Sequence, residues 1–245
     1  WAQKQVETVP ELNWKGKYIY SEKDMRQYWI TQRVKENTTL RKKFKNDPQG
    51  LKKAEKLLEY ETGRQFWKSN ELCMRHAEGI RSNTPVLAKL WYFWTNHFTI
   101  SDTQSLASFS TGAYQREFIR ANMDKKFETM AIDATIAWPM MMHLDNKDNI
   151  GPKSKSAKSE WRRREKKPAT INENHARELL ELHTVSPNAS YTQEDIIELA
   201  KIMTGWRPKW SKQKDHGHDV SFDTDRHEPG KKIFLVKFTK EEAKV

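Results

Sequence analysis

The sequence predicts a mostly α-helical fold, a multi-helix single domain with an irregular C-terminal segment. Only nine of the 245 residues are glycine, and the alternation of apolar and polar residues that is typical of strands is almost absent. Apolar residues instead recur at spacings of three and four, which is the period of an amphipathic helix. Together these observations indicate helices packed on helices.

The first third of the chain, residues 1–80, is interpreted as an N-terminal helical region. Residues 22–46 predict one or two polar helices, which end before a proline because proline cannot continue a helix. Residues 49–80 predict a loosely amphipathic helical region with Gly63 as a break. The rest of the chain, residues 81–245, is interpreted as the core, and the two parts are expected to form one domain overall.

Two stronger helices are predicted next. Thr84 followed by Pro85 predicts a helix start, because threonine caps helix N-termini and proline fits the first turn. Apolar residues then continue at helical spacing to about residue 98. A loop rich in serine and threonine is predicted over 102–112, and a long second helix over 113–137.

The C-terminal half predicts two further helices followed by an irregular tail. The first covers roughly residues 172–184. The second begins after Thr192, where Asp195 three residues later makes a weaker form of the capping box. From residue 207 the chain is predicted to be irregular, with short strand-like runs near Val220–Phe222 and Ile233–Phe238.

Composition limits the classes of protein that fit the chain. It is 36% hydrophobic and 31% charged, and its ten Trp and ten Phe supply buried area for a core. The single cysteine, Cys73, excludes an intrachain disulfide and a cysteine-based zinc site. No apolar run reaches 18 residues and no signal-peptide pattern is present, so no membrane span is expected. The chain begins without Met, as expected of a processed product or a fragment.

A basic loop is predicted over residues 147–170. Its segment 147–167 carries nine Lys and Arg against three acids, which is over half of the net charge of +11. Such a loop can bind phosphate groups or another polyanion, and the same composition fits a solvated loop equally well. Dedicated nucleic-acid binding is not predicted, because no recognised signature of a nucleic-acid-binding fold accompanies the charge.

The motif segment, residues 172–184, carries the strongest functional signal. It places three carboxylates, two imidazoles and a guanidinium in one short run. Glu173, Arg177 and Glu181 are spaced to form a ladder of ion pairs along one helix face. Glu178 and Glu181 have the i, i+3 spacing of helical carboxylate metal ligands. Three interpretations stay open: a metal or acid–base site, a buried polar network that fixes helix packing, and a solvated face.

Three other positions are further candidates, each with a plain structural alternative. His97 borders an aromatic helix, where a lone histidine is usually a hydrogen-bonded core residue. Asp145 begins the basic loop and suits a turn or a helix cap as well as a ligand role. His227 lies in an irregular polar segment, where the following Pro229-Gly230 also indicates a simple turn.

Five blocks of residues occur in an order that points to a family. The blocks are Phe93 to Phe98, Leu144-Asp145-Asn146 with Gly151-Pro152, Asn172 to Thr184, Tyr191-Thr192 leading to Thr204-Gly205-Trp206, and Phe222-Asp223 with His227 to Gly230. In this order they resemble the bacterial family called domain of unknown function 1800. The resemblance covers roughly residues 85–236, and the motif segment is its most specific block.

The resemblance implies a mostly helical protein and carries over no reaction. Many members carry export signals and accompany a second exported family, so a periplasmic or secreted location is expected. Members usually continue past the point where this chain stops, so the domain is expected to be incomplete here. Members often have His at the position of Trp138, and if that His is a ligand, this chain lacks it. Members usually have Gly at the position of Ser186.

The leading hypothesis is a polar site that binds a divalent metal and serves a hydrolytic or oxidative enzyme. Its predicted metal ligands are His97, Asp145, Glu178, His183 and His227. Its predicted catalytic residues are Glu178, Glu181, Arg177 and Asn174. Mixed histidine and carboxylate ligands suit Zn, Mn or Fe. The alternative is a non-catalytic structural or assembly subunit with protein partners in a larger complex, and a third option is polyanion binding through residues 147–167.

Overall fold

Helices form where the sequence keeps its helical period, and the predicted mostly α fold is confirmed. The computed structural model describes residues 2–12, 14, 19–28, 34–61, 64–101, 107–159, 169–208 and 220–235. Within these ranges the only sheet has two strands, in which β1 (Trp206–Pro208) pairs antiparallel with β2 (Val220–Phe222). No described helix combines the length and the apolar character that crossing a bilayer requires.

The helices are numbered in chain order. The first six are α1 (Ala2–Val6), α2 (Glu22–Tyr28), α3 (Val34–Lys43), α4 (Pro48–Glu61), α5 (Arg64–Arg81) and α6 (Pro85–His97). The next five are α7 (Thr111–Tyr114), α8 (Phe127–Ile136), α9 (Trp138–His143), α10 (Asn174–Glu178) and α11 (Gln193–Met203). Two of them continue in π-helical turns, α7 into Gln115–Ile119 and α10 into Leu179–Thr184.

The chain divides into two compact units, Trp1–Ala134 and Thr135–Val245, called unit 1 and unit 2. The expected boundary after residue 80 falls inside unit 1, and the single domain overall stays a prediction. Unit 1 buries large side chains that include Trp91 of α6 and Tyr114 of α7. The core cluster of unit 2 joins the motif segment to α11 and consists of Ala176, Leu180, Ile196, Leu199, Ala200 and Met203.

Two predicted helix starts can be compared with their caps. α6 begins at Pro85 as predicted, but the Thr84 side chain makes no capping hydrogen bond and instead shares one with Ser82 Oγ at 2.9 Å. At α11 the predicted capping box is confirmed. Asp195 N–H donates to Thr192 Oγ1 at 3.3 Å, and Thr192 N–H donates to the Asp195 carboxylate at 2.8 Å.

The predictions between residues 102 and 137 are partly wrong. Where the predicted loop is described, it is helical, with a 3-10 turn at Ser108–Ser110 before α7. The predicted single helix over 113–137 is broken by the π-helical turn of α7 and ends at Ile136. A tertiary contact overrides the local period, because the Trp91 indole donates to the Gln115 carbonyl at 2.9 Å.

The predictions for breaks and strands have mixed outcomes. The strand at Val220–Phe222 is confirmed. The predicted strand-like run at 233–238 is wrong over residues 233–235, which are not in a strand. Residues 236–238 and the predicted break at Gly63 lie outside the described residues.

Candidate functional site

The motif segment is not the single regular helix predicted over 172–184. α10 begins at Asn174, and from Leu179 the chain winds as a π-helical turn. A hydrogen bond with five-residue spacing follows this turn, from Val185 N–H to the Leu180 carbonyl at 3.0 Å. The prediction missed the π turn because apolar spacing reports the presence of a helix but not a local change in its winding.

The π-helical turn changes which side chains of the motif share a side. In a regular α-helix, residues five apart point in different directions, whereas π winding turns residue i+5 toward the side of residue i. Glu178 and His183 are five apart. His183 is buried and Glu178 is half-buried, and no described group hydrogen-bonds to the Glu178 carboxylate.

The expected ladder of ion pairs on the motif segment is present. Arg177 donates to Glu173 Oε2 at 3.0 Å and to Glu181 Oε1 at 3.1 Å. Gln193 of α11 joins the ladder, since it accepts from Arg177 at 2.9 Å and donates to Glu173 at 2.7 Å. The hydrogen bond to Glu181 raises the pKa of Arg177. Arg177 and Glu181 therefore engage each other on a partly exposed face, while Asn174 is exposed.

Asp145 makes a turn and an ion pair. Its φ of 56° is left-handed, a conformation that Asp tolerates better than most residues. Its carboxylate accepts from Lys147 Nζ at 2.5 Å, and the same ammonium reaches Asp148 at 2.8 Å. Its carbonyl accepts from Asn172 Nδ2 at 3.1 Å. A metal ion at Asp145 would have to compete with Lys147 for the carboxylate.

Three asparagines, Asn146, Asn149 and Asn172, form what is called the asparagine network. Asn149 Nδ2 donates to Asn146 Oδ1 at 3.1 Å and to the Ala200 carbonyl at 2.9 Å. Asn149 Oδ1 accepts from Asn172 N–H at 3.0 Å, and Asn146 Nδ2 donates to the Trp206 carbonyl at 2.7 Å. Asn146 and Asn149 are each 1% exposed. The network therefore joins the start of the basic loop to α11 through a buried hydrogen bond and to the motif segment through a partly buried one.

Both ring nitrogens of His227 have hydrogen-bond partners. Nδ1 donates to the Thr204 carbonyl at 2.7 Å, and Nε2 accepts from Lys232 Nζ at 2.8 Å. Because a protonated nitrogen cannot accept, this arrangement holds the neutral imidazole. The next residue, buried Glu228, accepts from Lys153 N–H at 2.9 Å. A metal at His227 would have to displace one of the two ring contacts.

Two histidines outside the predicted site lie within electrostatic range of one another, and His183 completes the group. His175 is 1% exposed, and neither of its ring nitrogens has a hydrogen-bond partner among the described residues. Burial, together with nearby His183 and His143, lowers the pKa of His175 to about 3. Burial also lowers the pKa of His143, against the attraction of Asp145. The sequence carried one signal of this group, since His175 and His183 are eight positions apart, about two helical turns.

Comparison with known proteins then assigns the chain to a family. The family model described as protein of unknown function (DUF1800) matches residues 7–244. The chain belongs to this family. The resemblance expected over roughly 85–236 is confirmed, and the match extends further toward both ends. No curated protein and no solved structure matches the chain.

Four of the five blocks of this DUF1800 protein meet within unit 2, and two glycines permit close backbone contacts there. At Gly205, with φ of +87°, a Cβ atom would lie 2.7 Å from the Asp223 carbonyl oxygen. At Gly151 a Cβ atom would lie 2.5 Å from Glu228 Cα. Both distances are shorter than a side chain allows, so glycine lets the second, fourth and fifth blocks approach one another.

The two departures from the family pattern have different structural settings. Trp138 is fully buried, as are the three methionines of the same helix, α9. Ser186 has a left-handed φ of 81°, and its N–H donates to the Leu180 carbonyl at 3.0 Å, closing the π-helical turn. A left-handed residue after a helix is the position that glycine suits best, which gives a physical reason for the usual glycine of the family.

The first block lies in unit 1, where His97 belongs to an aromatic patch made of Phe93, Trp94, His97 and Phe127. The His97 ring centroid lies 5.4 Å from Trp94 and 6.2 Å from both Phe93 and Phe127. Phe93 is 55% exposed and Phe127 41% exposed. The other predicted site residues belong to unit 2, and a site that His97 shares with them stays a prediction.

The predicted metal site also stays a prediction. Among the residues that the structure describes, no group of three or more His, Cys, Asp or Glu side chains is arranged to hold a metal ion. Asp145 and His227 have other partners. Glu178 and His183 alone would supply only two metal ligands. The divalent cofactor and the predicted catalytic roles therefore rest on the sequence pattern.

The structure describes only part of the basic loop. Lys155 pairs with Asp225 at 3.3 Å, and both side chains are largely exposed. Residues 160–168, which include all three arginines of the loop, lie outside the described ranges. Polyanion binding through residues 147–167 stays a prediction.

Proposed function

We propose that this DUF1800 protein is a non-catalytic structural or assembly subunit, in which the polar residues of the family blocks fix the packing of unit 2. The observation that carries the proposal is the asparagine network. It links segments up to 60 positions apart through buried and partly buried side-chain hydrogen bonds. A network of this kind specifies one arrangement of its segments and needs no substrate.

The energetics of a buried amide support this role. A buried polar group left without a partner costs about 1–3 kcal/mol. Asn149 satisfies both its oxygen and its nitrogen only when Asn146, Asn172 and Ala200 are in one relative position. Any other packing of these segments leaves several buried groups unpaired, so the network selects against it.

The partners of the predicted site residues support the same proposal. Asp145 pairs with Lys147, Arg177 pairs with Glu181, and His227 bonds through both ring nitrogens. These contacts are internal to unit 2. Residues that serve a reaction would more often keep a donor or acceptor available for substrate.

The aromatic patch of unit 1 supports the assembly part of the proposal. Exposed aromatic side chains that adjoin one another are typical of surfaces that bind a protein partner. An exported location, expected from the signals that many family members carry, belongs to the same proposal. Cell fractionation of a strain that expresses the full-length gene checks it, and a purely cytosolic product would contradict it.

Replacement of Asn149 by alanine tests the structural role. We expect Asn149→Ala to lower the free energy of unfolding by about 2–3 kcal/mol, because it leaves buried partners unpaired. Urea denaturation monitored by circular dichroism measures the change. The matched control is Asn188→Ala at an exposed turn position, for which we expect less than about 0.5 kcal/mol. Equal effects of the two variants would contradict the proposal.

The second candidate function is a metal-dependent hydrolytic or oxidative enzyme. One observation favours it, since π winding over Leu179–Thr184 turns His183 toward the side of Glu178, whose carboxylate lacks a described partner. Elemental analysis of the natively purified protein discriminates the candidates. Stoichiometric metal that is lost in a folded Glu178→Ala, His183→Ala double variant would replace the structural proposal by the enzyme. If His183→Ala unfolds the chain, Glu178→Gln alone serves the comparison.

A further inference from the structure

Unit 1 contains a cavity that the proposed function does not use. Its volume is about 390 Å³, which lies within the range of roughly 300–1,000 Å³ that is typical of small-molecule sites. The wall comes from α5, from the residues that follow α6, and from α7 with its π-helical turn. The wall residues that matter here are Glu71, Leu72, Arg75, Ile100, Thr111 and Gln115.

The one carboxylate in this set is already neutralised. Glu71 is buried, with a side chain 5% exposed. Arg116 donates to it three times, from Nη2 at 2.8 Å and from Nε at 3.1 and 3.2 Å. Both oxygens of Glu71 are therefore engaged by one guanidinium, and Glu71 is not the hydrogen-bond partner of another cation in the wall.

Arg75 brings positive charge to the wall and has neutral hydrogen-bond partners. Its Nη1 donates to Gln115 Oε1 at 2.5 Å, and its guanidinium stacks 5.2 Å from the centre of the Tyr92 ring. Its Nε is buried with no acceptor among the described residues. Burial lowers the pKa of Arg75, against the attraction of Tyr92 and Glu71. A half-buried guanidinium without a bonded carboxylate favours a ligand of opposite charge.

We propose that this cavity binds a small organic anion. The carboxylate or phosphate group of the ligand lies against Arg75, whose planar fork matches both groups. The amide of Gln115 and the hydroxyl of Thr111 are the neutral polar groups beside it. The apolar part of the ligand lies against Leu72 and Ile100. Every residue invoked belongs to unit 1, so the proposal goes beyond the packing role of unit 2 and is tested independently of it.

Isothermal titration calorimetry on the full chain tests the site with three probes that share one ring. The probes are benzoate, phenyl phosphate and the neutral benzyl alcohol. We expect saturable one-to-one binding of at least one anion and none of the alcohol. The comparison of benzoate with phenyl phosphate identifies which oxyanion the site prefers.

Three single variants locate the binding. Arg75→Gln is expected to weaken anion binding by about tenfold or more, because it removes the guanidinium from the wall, while Lys68, which also lines the cavity, is unchanged. Leu72→Trp is expected to weaken it by filling the cavity at a residue 43% exposed, without any change of charge. The matched control is Arg81→Gln, which removes the same charge from an exposed position on the same helix, and it is expected to leave the affinity unchanged.

Several results would overturn the proposal. One is no saturable binding of either anion up to about 10 mM, the weak end of specific affinity. Another is an equal loss of affinity in Arg75→Gln and Arg81→Gln, which would indicate a general effect of charge. A third is equal binding of benzyl alcohol. If circular dichroism shows that Arg75→Gln is unfolded, Leu72→Trp decides the outcome.

Discussion

Unit 1 and unit 2 each contain a π-helical turn, and the two turns are stabilised by different chemistry. In unit 1 the turn Gln115–Ile119 lies beside ionic groups, with Arg116 bonded to buried Glu71. In unit 2 the turn Leu179–Thr184 carries buried His183, which lies within electrostatic range of His175, whose pKa burial lowers to about 3. In each turn one carbonyl also accepts from a side-chain donor, the Gln115 carbonyl from the distant Trp91 indole in unit 1 and the Leu179 carbonyl from the Thr184 hydroxyl in unit 2.

This difference shows that the same backbone irregularity, a π-helical turn, can lie beside an ion pair in one unit and beside uncharged side chains in the other. An Arg–Glu pair keeps both charges at every pH near neutral, because the two groups ionise far from pH 7. A buried histidine group stays compatible with folding only while its rings are unprotonated. We therefore expect unit 1 to respond most to loss of a charge and unit 2 to respond most to acid.

The largest expected effect is in unit 1. Glu71→Gln removes the bonded counter-charge of half-buried Arg116, which keeps only the looser pair with Glu117 at 3.7 Å, and we expect a loss of about 3 kcal/mol in the free energy of unfolding. Urea denaturation at pH 7.5 measures it. The matched control is Glu55→Gln, since Glu55 lies 3.8 Å from Arg41 with both side chains exposed, and it should cost less than about 1 kcal/mol. Equal losses in the two variants would contradict the view that unit 1 depends on the buried charge of Glu71.

The second effect is acid destabilisation through unit 2. The folded pKa of His175, about 3, lies below the ordinary value of about 6.5. Between these values the unfolded chain binds more protons, so the free energy of unfolding falls as the pH falls below about 6.5. This one group contributes a loss of about 2 kcal/mol between pH 7.5 and pH 5. Urea denaturation across that range measures the slope.

A pair of variants tests whether His175 causes this dependence of the unfolding free energy on pH. His175→Gln removes the titrating ring, and we expect the dependence of unfolding free energy on pH to decrease by about 1.4 kcal/mol per unit between pH 6 and pH 4. His76→Gln, at an exposed position in unit 1, is the control and should leave the slope unchanged. An unaltered slope in His175→Gln would show that acid acts elsewhere.

The smallest expected effect has the opposite sign. Ser186→Gly should raise the free energy of unfolding by about 1 kcal/mol or less, because glycine removes the left-handed strain while it adds entropy to the unfolded chain. Ser190→Gly, at an exposed position nearby without a positive φ, should instead lower it slightly. Differential scanning calorimetry compares the two melting temperatures. A lower melting temperature for Ser186→Gly would contradict the explanation that backbone strain accounts for the usual glycine of the family at this position.

The sequence correctly predicted those features that depend on interactions between residues close together in the chain. The capping box at Thr192 and the ladder around Arg177 follow from short spacings, and both are present. The π-helical turns were missed because they depend on donors such as Trp91, which approach from distant parts of the chain. The approach of His143 to His175 was missed for the same reason, since 32 positions of sequence separate them. The role of Asn149 could not be predicted, because asparagine occurs both as a buried hydrogen-bonded amide and in surface turns, and the sequence alone does not distinguish the two.

The bond from Asn149 to Asn172 has a consequence for how this protein tolerates changes of length. It joins positions 23 apart and so closes the chain segment that contains most of the basic loop. Once both ends are held, doubling the length of a flexible closed segment costs only about 0.6 kcal/mol in closure entropy. Insertions and deletions between residues 159 and 170 therefore cost little in closure entropy, and that stretch can diverge in length and charge while unit 2 keeps its packing. Residues 153–156 tolerate them less, because Lys153 N–H donates to Glu228 and Ser156 N–H donates to the Asp225 carbonyl.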